Sequence, residues 1–331
     1  MRKTVILLLA LCLLCAAVPA LAEEPVRVRV SEVTHSVFYA PQYAAMALGF
    51  FADEGLEIDL MNGGGADKVM TSVLTGEVDI GLAGPEACIY VLLEGRRDAP
   101  RVFAQLTQCD GSFIVGRQAE DFAWQNLRGK TIIGGRKGGM PEMTLEYVMR
   151  KNGVIPHEDA AVDTSVQFNM MAGAFAGGEA DYVALFEPTA TEVELAGQGV
   201  VLCSIGEQSG EIPYTAYFAA QSYLTENADT VLRFTRAIAR GQQWVYAHTD
   251  RELAEAIVGY FPDTSVEVLE KVAARYKGIR AWKETPDMKQ EALERLETVM
   301  EQAGELSQRV AYEALVENEF AYHVMAEMGQ K

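Results

Sequence analysis

Short apolar runs alternate with helix-forming stretches twice along this chain, and that alternation limits the fold more than any other feature. Residues 26–30 (Val-Arg-Val-Arg-Val) alternate apolar and polar side chains, as a half-exposed strand does. Further strands are predicted at 56–61, 78–83, 102–106 and 113–116. Helices are predicted at 42–51, ending near Gly49, at 66–74, and after Pro85, a residue suited to a first helical position. A second unit of the same kind follows, with strands at 131–134, 182–186, 200–204 and 214–220 and helices at 141–152, 167–175 and 189–197. This β-α-β alternation reads as α/β structure with mainly parallel sheets. Beyond residue 226 the pattern becomes helix after helix, at 226–248, 251–260, 265–276, 287–303 and 310–328, with Thr264-x-x-Glu267 read as a capping box. No internal repeat is visible in the sequence.

The first 22 residues do not belong to this pattern. Arg2 and Lys3 precede an uncharged apolar run, Ala20-Leu21-Ala22 follows, and the chain then turns acidic at Glu23-Glu24. This is the layout of a secretory signal peptide cleaved after about Ala22, and the run is too short to span a bilayer. Cys12 and Cys15 both follow leucine, which speaks against a lipid-anchored form. An exported protein, periplasmic or at the cell surface, is expected.

The net charge of −19, more negative still without the basic signal segment, argues against nucleic acid as a partner. Beyond the signal segment lie Cys88, Cys109 and Cys203, an odd number set far apart, which does not suit a disulfide scaffold. They read as small core hydrophobes, although one pair could still bridge. His35, His157, His248 and His323 have no metal-ligand spacing. No metal, cofactor or catalytic group is expected.

The enzyme motifs that the sequence approaches are incomplete. Gly129-Lys130-Thr131 ends like a phosphate-binding loop, but the pattern needs glycine where Trp124 stands. Gly134-Gly135-Arg136-Lys137-Gly138-Gly139 has the wrong spacing for a dinucleotide fingerprint. Its glycines would suit either backbone contact with a ligand at a helix N-terminus or a tight strand-to-helix turn, and Arg136 and Lys137 read as solvated.

Ligands bind outside the carboxyl ends of strands in open parallel sheets. Three segments fall there. In the first, Ser36 to Tyr43, Phe38 and Tyr39 could stack on a flat solute and Gln42 could hydrogen-bond to it; the aromatics could equally be core. The second is Gly84-Pro85-Glu86, and the third is Phe186-Glu187-Pro188-Thr189. A glutamate at each of two strand ends suits a donor-rich or cationic ligand better than an anion. The alternative for each is an exposed glutamate at a helix N-terminus, favourable with the helix dipole.

Tyr39-Ala40-Pro41-Gln42-Tyr43, followed by Gly49 to Leu56 (GFFADEGL), resembles the N-terminal signature of one group of ABC-transporter substrate-binding proteins, the nitrate/sulfonate/taurine and thiamine-precursor group. Gly76 to Gly81 (GEVDIG) and Gly178-Glu179-Ala180-Asp181 followed by Phe186-Glu187-Pro188 are similar to that group too. The resemblance implies a two-lobed periplasmic-binding-protein-like fold (type II) with two hinge crossings. Residues 23–108 plus 215–331 would form lobe one and 109–214 lobe two, with hinges near 107–111 and 210–217. It implies a small-molecule ligand between the lobes, which close on it. Permease and ATPase subunits in the membrane would be the partners, and a monomer is expected.

The expected ligand-binding set is Ser36, Phe38, Tyr39, Gln42, Gly84, Glu86, Gln108, Gly138, Met140, Glu187 and Tyr214. The expected ligand is a small heteroaromatic, vitamin-precursor-like molecule. A sulfonate or nitrate-type anion is the alternative, and an enzyme like the group's pyrimidine synthase branch is another. That branch uses a reactive histidine and a cysteine cluster, for which this sequence shows no match; His35 is near the right region without a definable role. A sensor that presents ligand to a receptor is a further possibility.

Overall fold

The structure, a computed structural model, describes residues 24–178 and 180–329. The signal segment expected at 1–22 lies outside the described residues. Ten strands form two five-stranded sheets. In chain order they are β1 Val26–Glu32, β2 Leu56–Asn62, β3 Ile80–Ala83, β4 Pro100–Thr107, β5 Ser112–Gly116, β6 Thr131–Ile133, β7 Ala161–Asp163, β8 Tyr182–Phe186, β9 Val200–Ser204 and β10 Thr215–Ala220.

Sheet one, the base of lobe one, has the order β2-β1-β3-β10-β4, and sheet two, the base of lobe two, has β7-β6-β8-β5-β9. In sheet one β1 runs parallel to β2 and β3, while β10 runs antiparallel to β3 and β4. In sheet two β6 runs parallel to β7 and β8, while β5 runs antiparallel to β8 and β9. The two sheets therefore share one topology, a structural repeat that the sequence does not display. In each sheet the antiparallel strand is the one the chain enters on crossing from the other lobe. The crossings are β4 to β5 and β9 to β10.

Burial explains why the strands were legible. β3 and β5 are buried along their whole length, as strands covered on both faces must be. β1 starts exposed, where Arg29 forks onto Asp79 at 2.5 and 3.1 Å, and ends buried at Glu32. One core fills lobe one and reaches across to Phe113, Met140 and Met143 of lobe two. Two smaller cores cover the faces of sheet two.

Behind the crossings runs a third segment. The Gln108 N–H donates to the Ala281 carbonyl at 2.8 Å, and the Ile212 N–H donates to the Gln108 carbonyl at 2.8 Å. The Thr107 and Thr215 hydroxyls meet at 2.6 Å, and the Trp282 indole N–H reaches the Phe38 carbonyl at 2.9 Å. Both crossings are thus braced by the chain around 279–283.

Several local expectations need correction. Residues 310–328 are not one helix: the Tyr312–Leu315 and Glu319–Glu327 helices are separated where Val316 bridges to Val102 of β4. The Glu317 N–H donates to the Val102 carbonyl at 2.7 Å, so an edge strand has claimed backbone that a helix would need. Ser265, not Thr264, caps the Val266–Gly278 helix. The capping box is Thr249 with Glu252, on the Asp250–Ile257 helix. The long helix expected from 226 begins at Ala228, after the short Gln221–Glu226 helix. Cys88, Cys109 and Cys203 are free thiols, the first two buried. Among the described residues no helix is long and apolar enough to cross a membrane.

Candidate functional site

A cavity of about 390 Å³ lies between the lobes. Lobe one contributes the segment after β1 (Thr34, Ser36, Phe38, Tyr39), the turn after β2 (Asn62 to Lys68) and the turn after β3 (Gly84, Glu86). Lobe two contributes the loop after β6 (Gly135 to Pro141), the loop after β7 (Gln167, Phe168, Asn169) and Phe186 at the end of β8. Tyr214 and Thr215 close it from the second crossing. Apart from these two, every contributor follows the carboxyl end of a parallel strand, where side chains are free of sheet pairing.

The lobes touch directly around the cavity. The Ser36 hydroxyl donates to the Glu187 carbonyl at 3.0 Å, and the Tyr90 hydroxyl donates to the Gly138 carbonyl at 3.3 Å. Arg136 lies 3.8 Å from Asp67 across the rim. One wall is aromatic. The Phe38 ring stands 5.4 Å from Phe186 and 5.7 Å from Tyr214, both edge-on. Phe168 extends this wall 5.6 Å beyond Phe186 and remains 44% exposed, leaving a wet aromatic lip. Gly111 allows this packing, since a Cβ there would lie 2.4 Å from the Phe38 ring.

Of the residues expected from sequence, Ser36, Phe38, Tyr39, Gly84, Glu86, Met140 and Tyr214 line the cavity. Gly138 stands beside it, in the loop whose neighbours Arg136 and Gly139 line it. Three others do not line it. The Gln42 side chain donates to Glu32 at 3.0 Å and accepts from the Tyr217 hydroxyl at 2.9 Å. The Gln108 amide donates to the carbonyls of Arg280 and Trp282 at the crossing. The Glu187 carboxylate accepts from the Thr191 N–H and hydroxyl, both at 2.9 Å, and pairs with Arg275 at 2.6 Å.

Neither Glu86 nor Glu187 is an exposed helix-end glutamate; they are 3% and 1% exposed. Glu86 folds back over Gly84, where a Cβ would lie 1.9 Å from its Oε2. That Oε2 is buried with no hydrogen-bond partner in the protein. Burial pushes the Glu86 carboxyl up to about 7, against the opposing pull of nearby backbone N–H groups and Arg136. The Tyr214 hydroxyl is also buried, and the group it faces is a carboxylate. It borders Asp110, whose Oδ1 accepts from the Ser112 N–H at 2.6 Å and whose Oδ2 is unpartnered. Burial pushes Asp110 up to about 6.

Sequence reasoning missed Asp110, Asn62, Lys68 and the 167–169 loop, and it read Arg136 as solvated. Arg136 is on the cavity lining although its side chain is 55% exposed. It also missed a buried network at the end of β1. Glu32 accepts from Gln42 and from the Tyr43 hydroxyl at 2.7 Å, and His35 Nδ1 lies 3.0 Å away. His35 Nε2 meets the Tyr260 carbonyl at 2.6 Å, and the ring stacks on Phe261. His35 is therefore engaged away from the cavity. His157, which shows no metal spacing in sequence, meets Glu146 at 2.7 Å beside Glu142, with ligand atoms of all three within 4.8 Å of one another. Arg150 already pairs with Glu146 at 2.8 Å. Burial, with Glu146 as neighbour, pushes Glu142 up to about 7.

Two sheets of matched topology, joined by two crossings and holding a cavity between them, define the two-lobed periplasmic-binding-protein-like fold. Within that class the chain belongs to the NMT1/THI5-like family, which residues 37–252 match. A Bacillus subtilis (strain 168) relative named "Putative binding protein YtlA" is 45% identical over 302 residues, covering 91% of this chain and 90% of its own length. A Candida albicans 4-amino-5-hydroxymethyl-2-methylpyrimidine phosphate synthase is 25% identical over 238 residues, 66% of each chain. Among solved structures, the nitrate-binding protein NrtA of Synechocystis PCC 6803 superposes with a TM-score of 0.71 at 14% identity, covering 92% of this chain and 89% of its own. The alkanesulfonate-binding protein SsuA of Xanthomonas axonopodis pv. citri, bound to MOPS, gives 0.69 at 16% identity, covering 89% and 99%.

Proposed function

We propose that this protein is the exported solute-binding component of an ABC-type importer, that it closes its lobes on a small molecule, and that permease and ATPase subunits in the membrane receive that molecule. The observation that carries this reading is the interlobe cavity, to which both lobes contribute walls. A ligand held there touches both lobes only when they are together, so its binding favours closure. The family membership and the binding-protein relative support the same reading, and the signal-like N-terminus supports export.

The ligand we favour is a small heteroaromatic, vitamin-precursor-like molecule. The aromatic wall of Phe38, Phe186 and Tyr214 suits a flat ring, and Glu86 suits a donor. An anion of the sulfonate or nitrate type is the second reading, favoured by Lys68 and Arg136 on the lining. An enzymatic role would need a reactive group at the cavity, and His35 is tied to Glu32 and Tyr260 instead.

The test is native mass spectrometry of protein purified from its own host, followed by thermal-shift measurement with the released small molecule. A retained small molecule that raises the melting temperature in proportion to its concentration is the expected result. Protein that arrives empty and is stabilised by no component of host extract would remove the binding reading. Turnover of the bound molecule by the pure protein would replace it with an enzyme.

A further inference from the structure

On the cavity lining, Glu86 is a buried charged side chain that the protein leaves only partly satisfied. Glu86 is 3% exposed, lines the cavity, and leaves Oε2 without a partner. The Tyr214 hydroxyl, also on the lining and 3% exposed, faces Asp110 with its proton, which leaves its oxygen free to accept. A buried acceptor left without a donor is costly, and a buried carboxylate more so than a neutral group. The backbone N–H groups of Glu86 and Ala87 and the Arg136 charge offset only part of that cost, since burial outweighs them. Tyr39 and Tyr214 face it from the lining, Tyr90 and Cys88 stand on its own helix, and Arg136 acts on it from the other lobe. Arg136 is half exposed and lies beside Asp67, which shares its charge.

We propose, building on the binding reading above, that Glu86 and Tyr214 select a ligand with a positively charged, planar N–H donor edge, such as an aryl amidinium or a protonated amino-heteroaromatic, and select against anionic solutes. A charge-assisted pair would form between that edge and the Glu86 carboxylate, and the Tyr214 oxygen would take a second N–H. The same cation would lie beside the aromatic wall of Phe38 and Phe186, where a planar ring can pack. An anion in this place would meet the Glu86 carboxylate.

Protons give the inference a second readout. The carboxyl must be ionised to pair, and burial holds it protonated below about 7. Below that pH, binding a permanent cation sends the Glu86 proton to solvent, so affinity falls about tenfold for each pH unit. Burial raises the neighbouring tyrosines and Cys88 further above that range, so they stay neutral through it.

The experiment measures the affinity and thermal shift of the full mature chain with three probes built on one benzene ring: cationic benzamidinium, neutral benzamide and anionic benzenesulfonate, between pH 5 and pH 8. The wild type should prefer benzamidinium at least tenfold over the other two and lose that affinity progressively below pH 7. Glu86→Gln should lose at least tenfold and flatten the pH profile, which separates Glu86 from Asp110 and Glu142. Tyr214→Phe should weaken binding by a smaller factor at unchanged slope. Equal or tighter binding of benzenesulfonate or benzamide overturns the inference, and so does benzamidinium affinity unchanged by Glu86→Gln. Failure of benzamidinium and of 4-aminopyridinium to bind also overturns it. If the protein from its host still retains another small molecule, the binding reading stands and only the ligand class falls.

Discussion

Nη1 of Arg275 lies 2.6 Å from Oε1 of Glu187, an ion pair that joins the Val266–Gly278 helix of lobe one to the end of β8 in lobe two. Nη2 of the same guanidinium reaches Glu194 at 2.8 Å, and Lys271 reaches Glu194 at 2.5 Å. From the same helix the Tyr276 hydroxyl oxygen accepts from the Glu187 backbone N–H at 3.0 Å. This interlobe contact lies outside the cavity lining, so it acts on lobe position rather than on the ligand itself.

Replacing Arg275 by methionine should leave the fully buried Glu187 carboxylate without its cation. Breaking one side of such a pair costs about 3 kcal/mol, because the remaining charge stays desolvated. A urea titration of Arg275→Met should therefore show a clearly lower midpoint than wild type. Small-angle scattering should show a more open lobe arrangement. A midpoint within error of wild type would mean that the pair contributes nothing net.

His35 predicts a pH dependence of stability. Its hydrogen bond to Glu32, reinforced by the Tyr260 carbonyl and opposed by burial, raises its pKa above the ordinary value. The folded state therefore holds the proton more tightly than the unfolded chain. The stabilisation is fully present below the unfolded value of about 6.5 and is lost as pH rises through the raised folded value. The melting-temperature advantage of wild type over His35→Gln should shrink between pH 6 and pH 9. An advantage that grows over that range would contradict the assignment.

Gly241 lies where the Ala228–Ala247 helix crosses the Ala40–Ala47 helix. A Cβ there would lie 2.2 Å from the Pro41 carbonyl oxygen, and backbone cannot swing aside as a side-chain tip can. Gly241→Ala should destabilise by about 1–3 kcal/mol, despite alanine's better helix propensity, because the two helices must separate. Thermal denaturation at one pH measures it, and a gain in stability would show that the helices can part freely.

Much of the fold was legible because burial on both faces forces continuous apolar runs, as in Ile80–Ala83 and Tyr182–Phe186. The three-residue Ala161–Asp163 strand was not, being too short to show a period. The break at Val316 was hidden because its cause, Val102, lies far away in sequence. Strand direction in β5 and β10 is a property of the crossings, which no local pattern records. The cavity lining was legible at strand ends, where position alone brings Phe38, Tyr39 and Glu86 to it. Gln42 shows the limit of that logic: it sits one helical turn from those residues, yet Glu32 and Tyr217 claim its amide. Asp110 gave no signal, since a polar residue at a crossing looks like an ordinary turn residue until its burial is known.

Glu86 should also govern stability without any ligand present. Its folded value is pushed up to about 7 by burial, above the ordinary carboxyl value of about 4.3 in the unfolded chain. The folded state thus binds the proton more tightly, and stability falls as pH rises from about 4 to about 7. Glu86→Gln removes that titration while keeping nearly the same shape. The variant should melt close to wild type near pH 4.5 and above it at pH 8, by an amount on the order of 3 kcal/mol. Asp110 and Glu142 titrate in the same direction, but they remain in both proteins and cancel in the difference. A wild type that gains on Glu86→Gln as pH rises would mean that the carboxylate is stabilised in its charged form, and the cavity would then already hold its counter-charge.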